Sequence, residues 1–506
     1  MPKTNEKIGI LIQNVRQERG LTQSQLAKAL GTSQSAVNRI EKGNQNLSIN
    51  MIGKISDILN KPILHVDSGA TNLRIEGGHQ LSGSITLKKS KNAAVALLCA
   101  SLLNKGVTRF KCFPKIEEVH RIIETLESIG VKIKWTSGGD VEIRRPEKLD
   151  LDGINIASAK KTRSVVMFLG ALMHEYKDFK IPYAGGCKLG ARTVTPHLYA
   201  LEQFGVDIET RNHYYRVHSR PKSAKRVVLY EAGNTVTNNA LLAASMDETP
   251  TVIQGASADY MVQDLCAFLK RLGVKIDGVG SPVLTVTGVS GAKKNISFSP
   301  TEDPIEAMFF ISAAVTTNSS ITIKRTPIHW IGLELLKLQK MGLKCKVSEP
   351  YPSDDAVTEL ADLKIEKHNG NLHSPIEKIH PNLWPGLNPD NIPYFVPICA
   401  TAKGRTLIHD WMFENRAIYY TELTKIGAHI ELADPHRLFI TGPTKWENGD
   451  VSCPPALRPA SLLLIGMLAA DGISTLRNVY TINRGYEDIA KRLNSLGAKI
   501  TVLSEI

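Results

Sequence analysis

Apolar residues recur along most of this chain in two alternating rhythms. From Leu73 onward, stretches with helical spacing give way to short runs in which apolar and polar residues take turns. Ser84-Ile85-Thr86-Leu87, Leu284-Thr285-Val286-Thr287 and Ser320-Ile321-Thr322-Ile323 are such runs. A period near 3.6 marks a helix with one buried face, and a period of two marks a half-buried strand. The passage from one to the other repeats as a leucine, three residues, a glycine and an alternating run. It occurs at Leu126/Gly130, Leu201/Gly205, Leu269/Gly273, Leu338/Gly342, Leu423/Gly427 and Leu493/Gly497, at intervals of 68 to 85 residues. Glycine past the last apolar residue closes a helix because it enters the left-handed region without a steric penalty. The recurrence predicts one α/β unit copied six times, arranged in layers.

The first 64 residues follow a different pattern. They predict only short helices, over Ile8 to Arg19, Thr22 to Leu30, Ser33 to Lys42 and Asn50 to Leu59. Thr22 and Gln25 have the spacing of a capping box, and Gly31 ends that helix before a tight turn into the next. Leu21-Thr22-Gln23, Leu26-Ala27, Gly31 through Val37 and Ile40-Glu41-Lys42-Gly43 resemble the Cro/repressor type of helix-turn-helix domain. The resemblance implies that the third helix enters the major groove of DNA, with Gln34, Ser35, Asn38 and Arg39 as contacts. Nine basic against four acidic side chains in residues 1–64 suit a phosphate backbone. Such a domain would read two half-sites as a homodimer; the alternative use of the fold is protein contact. Residues 65–72 are small and polar and read as a linker.

Composition narrows the class. With 42% hydrophobic and 22% charged residues over 506 positions, the chain has an ordinary globular makeup. No apolar run reaches membrane-spanning length, and Ser461 to Ala470 reads as a buried helix. The polar opening Met1-Pro2-Lys3-Thr4 lacks a signal-peptide core. Seven scattered cysteines fit a reduced compartment, so the expected location is the cytoplasm with no membrane partner. No metal-ligand spacing occurs, and nothing asks for a cofactor. A net charge of +13 points to anionic partners, either nucleic acid or small molecules.

Three features carry candidate chemistry. In Gly185-Gly186-Cys187-Lys188-Leu189-Gly190-Ala191-Arg192, three glycines surround a cysteine with two cations close by. Nearby cations favour the thiolate, although a glycine turn with an incidental cysteine would look the same. Ser90 can cap a helix running through Leu103, which puts Lys91 at its positive end, an anion site or a solvated surface charge. Arg163, Arg416, Arg458 and Arg484 stand in weakly charged surroundings, Arg484 at the start of the last helix; each is a ligand contact or an ordinary ion-pair residue.

Together, the six repeats, Lys91-Asn92, the Gly-Gly-Cys loop, Phe413-Glu414-Asn415-Arg416 and Arg484-Gly485-Tyr486-Glu487 resemble the enolpyruvyl transferases over residues 73–506. The resemblance implies an inside-out α/β barrel of six βαβαββ repeats in two domains, 73–90 with 304–506 and 91–303. It implies transfer of the enolpyruvyl group of phosphoenolpyruvate to the 3-hydroxyl of UDP-N-acetylglucosamine, a step toward peptidoglycan. Lys91 and Asn92 would then face both substrates. Arg192, Arg416, Arg458 and Arg484 would bind phosphate and carboxylate, with Arg163 at a substrate-binding position in the same cleft. Cys187 would protonate the methylene carbon, and Asp390 would take the proton of the attacking hydroxyl.

Three positions depart from the family pattern. Thr195 replaces an aspartate that helps hold uracil, Glu231 replaces a serine at the diphosphate, and Ala456 replaces the aspartate of Asp-Leu-Arg. They keep two other readings open, a transferase acting on another nucleotide or alcohol and a transcription regulator that senses the ligand without turnover.

Overall fold

The computed structural model describes residues 4–18, 21–45, 47–59, 69–136, 138–185 and 193–505. They fall into two compact units, Met1–Thr71 with Ser504–Ile506 and Asn72–Leu503.

The N-terminal unit holds helices Thr4–Glu18, Gln23–Leu30, Gln34–Glu41 and Ile49–Leu59. The first begins a turn before the expected Ile8. The capping box forms: Thr22 Oγ1 accepts from Gln25 N at 3.2 Å and Gln25 Oε1 accepts from Thr22 N at 2.8 Å. Gly31 follows at φ 67°, satisfying the last carbonyls of its helix. Ile12, Val15, Leu26, Val37, Ile40, Ile55 and Leu59 close the core. Beside it lies a buried ion pair, with Arg16 Nε 2.5 Å and Nη2 3.0 Å from the Glu41 carboxylate. Gln23 Nε2 donates to the same carboxylate at 2.8 Å.

In the larger unit all six repeat glycines adopt positive φ, between 87° and 106°. Each is followed by a strand: Lys132–Trp135, Val206–Arg211, Lys275–Asp277, Cys345–Val347, His429–Asp434 and Lys499–Glu505. The helix before Gly427 is wound as a 3₁₀ helix, Ala417–Ile426. The described residues form six sheets, and each contains one of those six strands. Four combine antiparallel neighbours with one parallel pair, such as Ile323↔Ile85 and Ile253↔Val227.

Two buried cores result. One gathers residues between Ala93 and Phe298, including Leu97, Phe110, Phe168, Leu241 and Phe268. The other gathers Leu73 to Leu87 with Ile305 to Ile500, including Phe309, Phe310, Phe395 and Leu463. The cores support a division into lobes 73–90 with 304–506 and 91–303, which we propose. The chain crosses between the cores twice, and the crossings pair with each other. Lys89 bridges Glu302, Ser90 N donates to Thr301 O at 2.8 Å, and Asp303 N donates to Lys88 O at 2.9 Å. Lys89 and Arg325 both contact Glu302 and Asp354, within 2.6–2.9 Å. Trp330, from the second stretch, packs into the first core beside Tyr260 and Trp384.

Helices Pro304–Thr316 and Leu457–Ala469 are strongly apolar but only 13 residues long. Among the described residues no helix is long and apolar enough to cross a membrane.

Candidate active site

Ser90 caps helix Lys91–Ala100 by accepting from Ala93 N at 3.3 Å, which places Lys91 at the first position, as the sequence predicts. Lys91 Nζ lies 2.8 Å from Glu118 Oε2, and both side chains are mostly buried. Burial alone would raise the Glu118 pKa. Lys91, Arg484 and Arg458 outweigh it and hold the carboxyl below its ordinary value. Glu118 is therefore an anion that faces three cations drawn from both stretches of the chain. Asn92 is half-buried at the second helical position. Asp303 caps the helix after the return crossing, accepting from Ile305 N at 2.8 Å, and also receives Lys91 N at 3.4 Å.

Asp390 lies in a tight turn, its amide donating to Asn388 Oδ1 at 2.9 Å. Its carboxylate is partly exposed between two buried arginines, 3.5 Å from Arg416 Nη1 and 3.9 Å from Arg458 Nη2. Arg416 is bidentate on the fully buried Asp410, at 2.6 and 2.8 Å, and donates to Pro389 O at 2.7 Å. Tyr420 Oη donates to Asp410 as well, at 2.6 Å. Arg416 thus fixes the backbone that carries Asp390. Asp259, the cap of helix Tyr260–Leu272, is pushed up to about 7 by burial, and the charge of Asp390 adds to the shift. Glu334 is also pushed up to about 7 by burial, although it accepts from Asn391 Nδ2 at 2.7 Å.

Arg484 is displaced from its expected position. It closes the short helix Tyr480–Asn483, and the last helix begins only at Ile489. Gly485 sits against Leu457, where a Cβ would lie 2.2 Å from a methyl, and Asp488 adopts φ 48°. The chain bends too tightly there for the helix to continue.

Arg163 belongs to a different neighbourhood. Its Nη2 donates to Thr193 O at 2.7 Å; burial lowers its pKa, and Glu231 and Tyr215 work against that shift. His197 nearby is driven down to about 3, first by burial and then by Arg163, so it is neutral. Glu231 Oε1 lies 3.0 Å from where a Cβ would stand on Gly233, the residue opening helix Asn234–Ala244. Cys187 and Arg192 lie outside the described residues. Cys266, Cys399 and Cys453 are pushed up to about 12 by burial, which leaves them inert near neutral pH.

Sequence reasoning missed Glu118, Asp259, Asp303 and Asp410. Asp303 had a readable signal, since Asp303-Pro304 ahead of an apolar run is a cap followed by the proline suited to a first turn. In the N-terminal unit, Gln34, Ser35 and Arg39 are exposed and Asn38 is half-buried, while Ala36, Val37 and Ile40 of the same helix are buried. The four candidate contacts thus avoid the face packed on the core.

Comparison with known proteins agrees with this layout. Residues 75–493 match the family model of EPSP synthase (3-phosphoshikimate 1-carboxyvinyltransferase), and residues 12–66 match a helix-turn-helix model. A UDP-N-acetylglucosamine 1-carboxyvinyltransferase of Bacteroides thetaiotaomicron is 32% identical over 439 residues, covering 84% of this chain and 98% of that protein. One from Treponema denticola is 31% identical over 431 residues, with coverages of 84% and 98%. The enolpyruvyl transferase NikO from Streptomyces tendae shares the fold with a TM-score of 0.74 at 21% identity, covering 87% of this chain and all of its own. An EPSP synthase from Acinetobacter baumannii does so at 0.65 and 18%, with coverages of 86% and 100%.

Proposed function

The chain belongs to the EPSP synthase family of enolpyruvyl transferases, and we propose that it moves the enolpyruvyl group of phosphoenolpyruvate to the 3-hydroxyl of UDP-N-acetylglucosamine. The observation that carries the reading is Asp390, a partly exposed carboxylate held between two buried arginines. In this reading the acceptor oxygen attacks C2 of phosphoenolpyruvate and Asp390 takes its proton. An acid, Cys187 by family resemblance, delivers a proton to C3. Loss of phosphate and of a C3 proton from the adduct restores the double bond. Lys91, Arg458 and Arg484 would stabilise the dianionic leaving group, because fixed cations in a water-poor cleft need no reorganisation as charge develops. Glu118 would hold those cations together until the ligand arrives.

Phosphate release from phosphoenolpyruvate, measured with a panel of nucleotide sugars and simple alcohols, tests this. Release that requires UDP-N-acetylglucosamine is the expected result. Release with none of the acceptors would overturn it.

Glu231 favours a second reading, a transferase whose acceptor lacks the diphosphate. A carboxylate beside Arg163 and at the opening of helix Asn234–Ala244 already supplies the negative charge that such a place attracts. In that case the panel responds to an acceptor without a diphosphate, and Glu231→Ser improves use of UDP-N-acetylglucosamine. To residues 1–64 we assign binding of duplex DNA through Gln34, Ser35, Asn38 and Arg39, supported by their exposure and by the helix-turn-helix match.

A further inference from the structure

We propose that Tyr486, backed by Tyr394, is a positioning residue that presents Arg458 to an anionic ligand without neutralising it. Arg458 is buried at the second position of helix Leu457–Ala469, whose cap, Ala456, contributes no side-chain hydrogen bond. Its Nη1 donates to Tyr486 Oη at 3.3 Å, and the guanidinium lies 5.7 Å from the centre of the same ring. The Tyr486 and Tyr394 hydroxyls are hydrogen-bonded to each other. Tyr394 Oη lies 3.3 Å from Ser461 Oγ, and Ser461 Oγ donates to the Arg458 carbonyl at 2.7 Å.

A backbone carbonyl can only accept and each hydroxyl has one proton, so the Ser461 bond to the Arg458 carbonyl gives this circuit one direction. It runs from Arg458 to Tyr486, to Tyr394, to Ser461 and back to the arginine's own carbonyl. Each hydroxyl donates once and accepts once, and no hydroxyl proton is left over. Phe309 packs on both rings, at 5.0 Å from Tyr486 and 6.1 Å from Tyr394, and fixes their planes. Burial raises both phenol pKa values, so the holding groups stay neutral.

The contrast with Arg416 shows what this achieves. Arg416 has a bidentate carboxylate, which cancels most of its field. Among the described residues no carboxylate makes a hydrogen bond to Arg458; Asp390, at 3.9 Å, with Asp303 and Glu118, acts on it only through space. In a low-dielectric site, a charge oriented by dipoles and only loosely paired remains more available to a ligand than a clamped one.

The inference rests on the phosphoenolpyruvate reading of the cleft, so titration calorimetry of the full chain uses two probes, phosphoenolpyruvate and inorganic phosphate. Tyr486→Phe keeps the ring and removes the hydroxyl; its Kd for phosphoenolpyruvate should rise roughly tenfold, as expected for a lost hydrogen bond to a charged group. Tyr394→Phe should give a smaller rise, with affinity for the acceptor and the melting temperature close to the parent in both. Unchanged affinity for both probes in both variants overturns the proposal. So does a loss that extends equally to the acceptor and follows a lowered melting temperature. A parent that binds only inorganic phosphate, and binds it more tightly than Tyr486→Phe does, sinks the donor reading and leaves this one standing.

Discussion

The N-terminal unit and the transferase cleft each bury arginine, and they treat it differently. Arg16 is clamped by Glu41, which also receives Gln23, and Arg16 Nη1 donates to Leu21 O at 2.6 Å. In the cleft, Arg416 is clamped the same way by Asp410, whereas Arg458 is held by phenols. A guanidinium paired at both ends ties pieces of chain together, but little of its charge reaches a ligand. A guanidinium held by neutral groups costs more to bury and keeps its charge for something that arrives later. The small unit uses arginine to hold its helices together. The cleft uses it to hold the Asp390 turn and, in our reading, to wait for an anion.

Breaking the clamp in the small unit should have the largest effect. Glu41→Ala leaves Arg16 buried without its partner and should cost about 3–5 kcal/mol in that unit. In calorimetry of the full chain the transition of the N-terminal unit should move or vanish while that of the transferase unit stays. A melt indistinguishable from the parent would show that the pair holds nothing.

Removing a cation of the cleft should act mainly on chemistry instead. Lys91→Ala should lower phosphate release by about a hundredfold, in line with the loss of one oriented charge at a developing anion. Its melting temperature should fall less than that of Glu41→Ala, because Glu118, left without Lys91, still faces Arg484 and Arg458. A large stability loss with a modest kinetic one would place Lys91 with Arg16 among the structural cations.

On the DNA side, Arg39 is exposed and, in our reading, waits for a phosphate or a base edge. Arg39→Ala should weaken duplex binding by roughly 1–3 kcal/mol and reduce its dependence on salt. Gel shifts at graded salt in which variant and parent coincide would move the unit to protein contact.

The smallest effect sharpens the comparison through pH. Asp259, Asp264 and Glu334, all in the transferase unit, are pushed up to about 7, chiefly by burial. Unfolded, such groups titrate near 4. Between those values the folded unit binds more protons than the unfolded chain, so its stability is greatest at the acid end and falls as pH rises. Buried His197, driven down to about 3, acts the other way below the ordinary histidine value of about 6.5. The transferase transition should therefore drop by about 2 °C between about pH 6.5 and 8, and Asp264→Asn should flatten part of that slope. A transition that rises with pH across the window would contradict the assignment.

The sequence made local features readable. The Thr22–Gln25 box, the Ser90 cap and the six left-handed glycines depend on residues a few positions apart, and all are found where the pattern puts them. Arg484 went astray because the bend after it depends on Leu457, which no local pattern announces. Glu118 escaped notice for a related reason. In sequence it is one of two glutamates in the first turn of a helix, an ordinary surface arrangement. Its meaning comes from Lys91, Arg458 and Arg484, which the fold brings beside it from distant stretches. Tyr486 stands in the Arg484-Gly485-Tyr486-Glu487 motif, but only its hydrogen bond with Tyr394 reveals a polar task.

The paired crossings have a mechanical consequence. Lys91 directly follows one passage between the cores and Asp303 ends the other, and Lys91 N even reaches the Asp303 carboxylate. In any rotation of one lobe on the other, the crossings lie near the axis, and points near an axis travel little because displacement is the angle multiplied by the radius. The ammonium and the cap are thus nearly stationary landmarks, while groups out along each lobe sweep longer arcs. Under the two-lobe division we propose, an anion docked at Lys91 would keep its place through such a rotation.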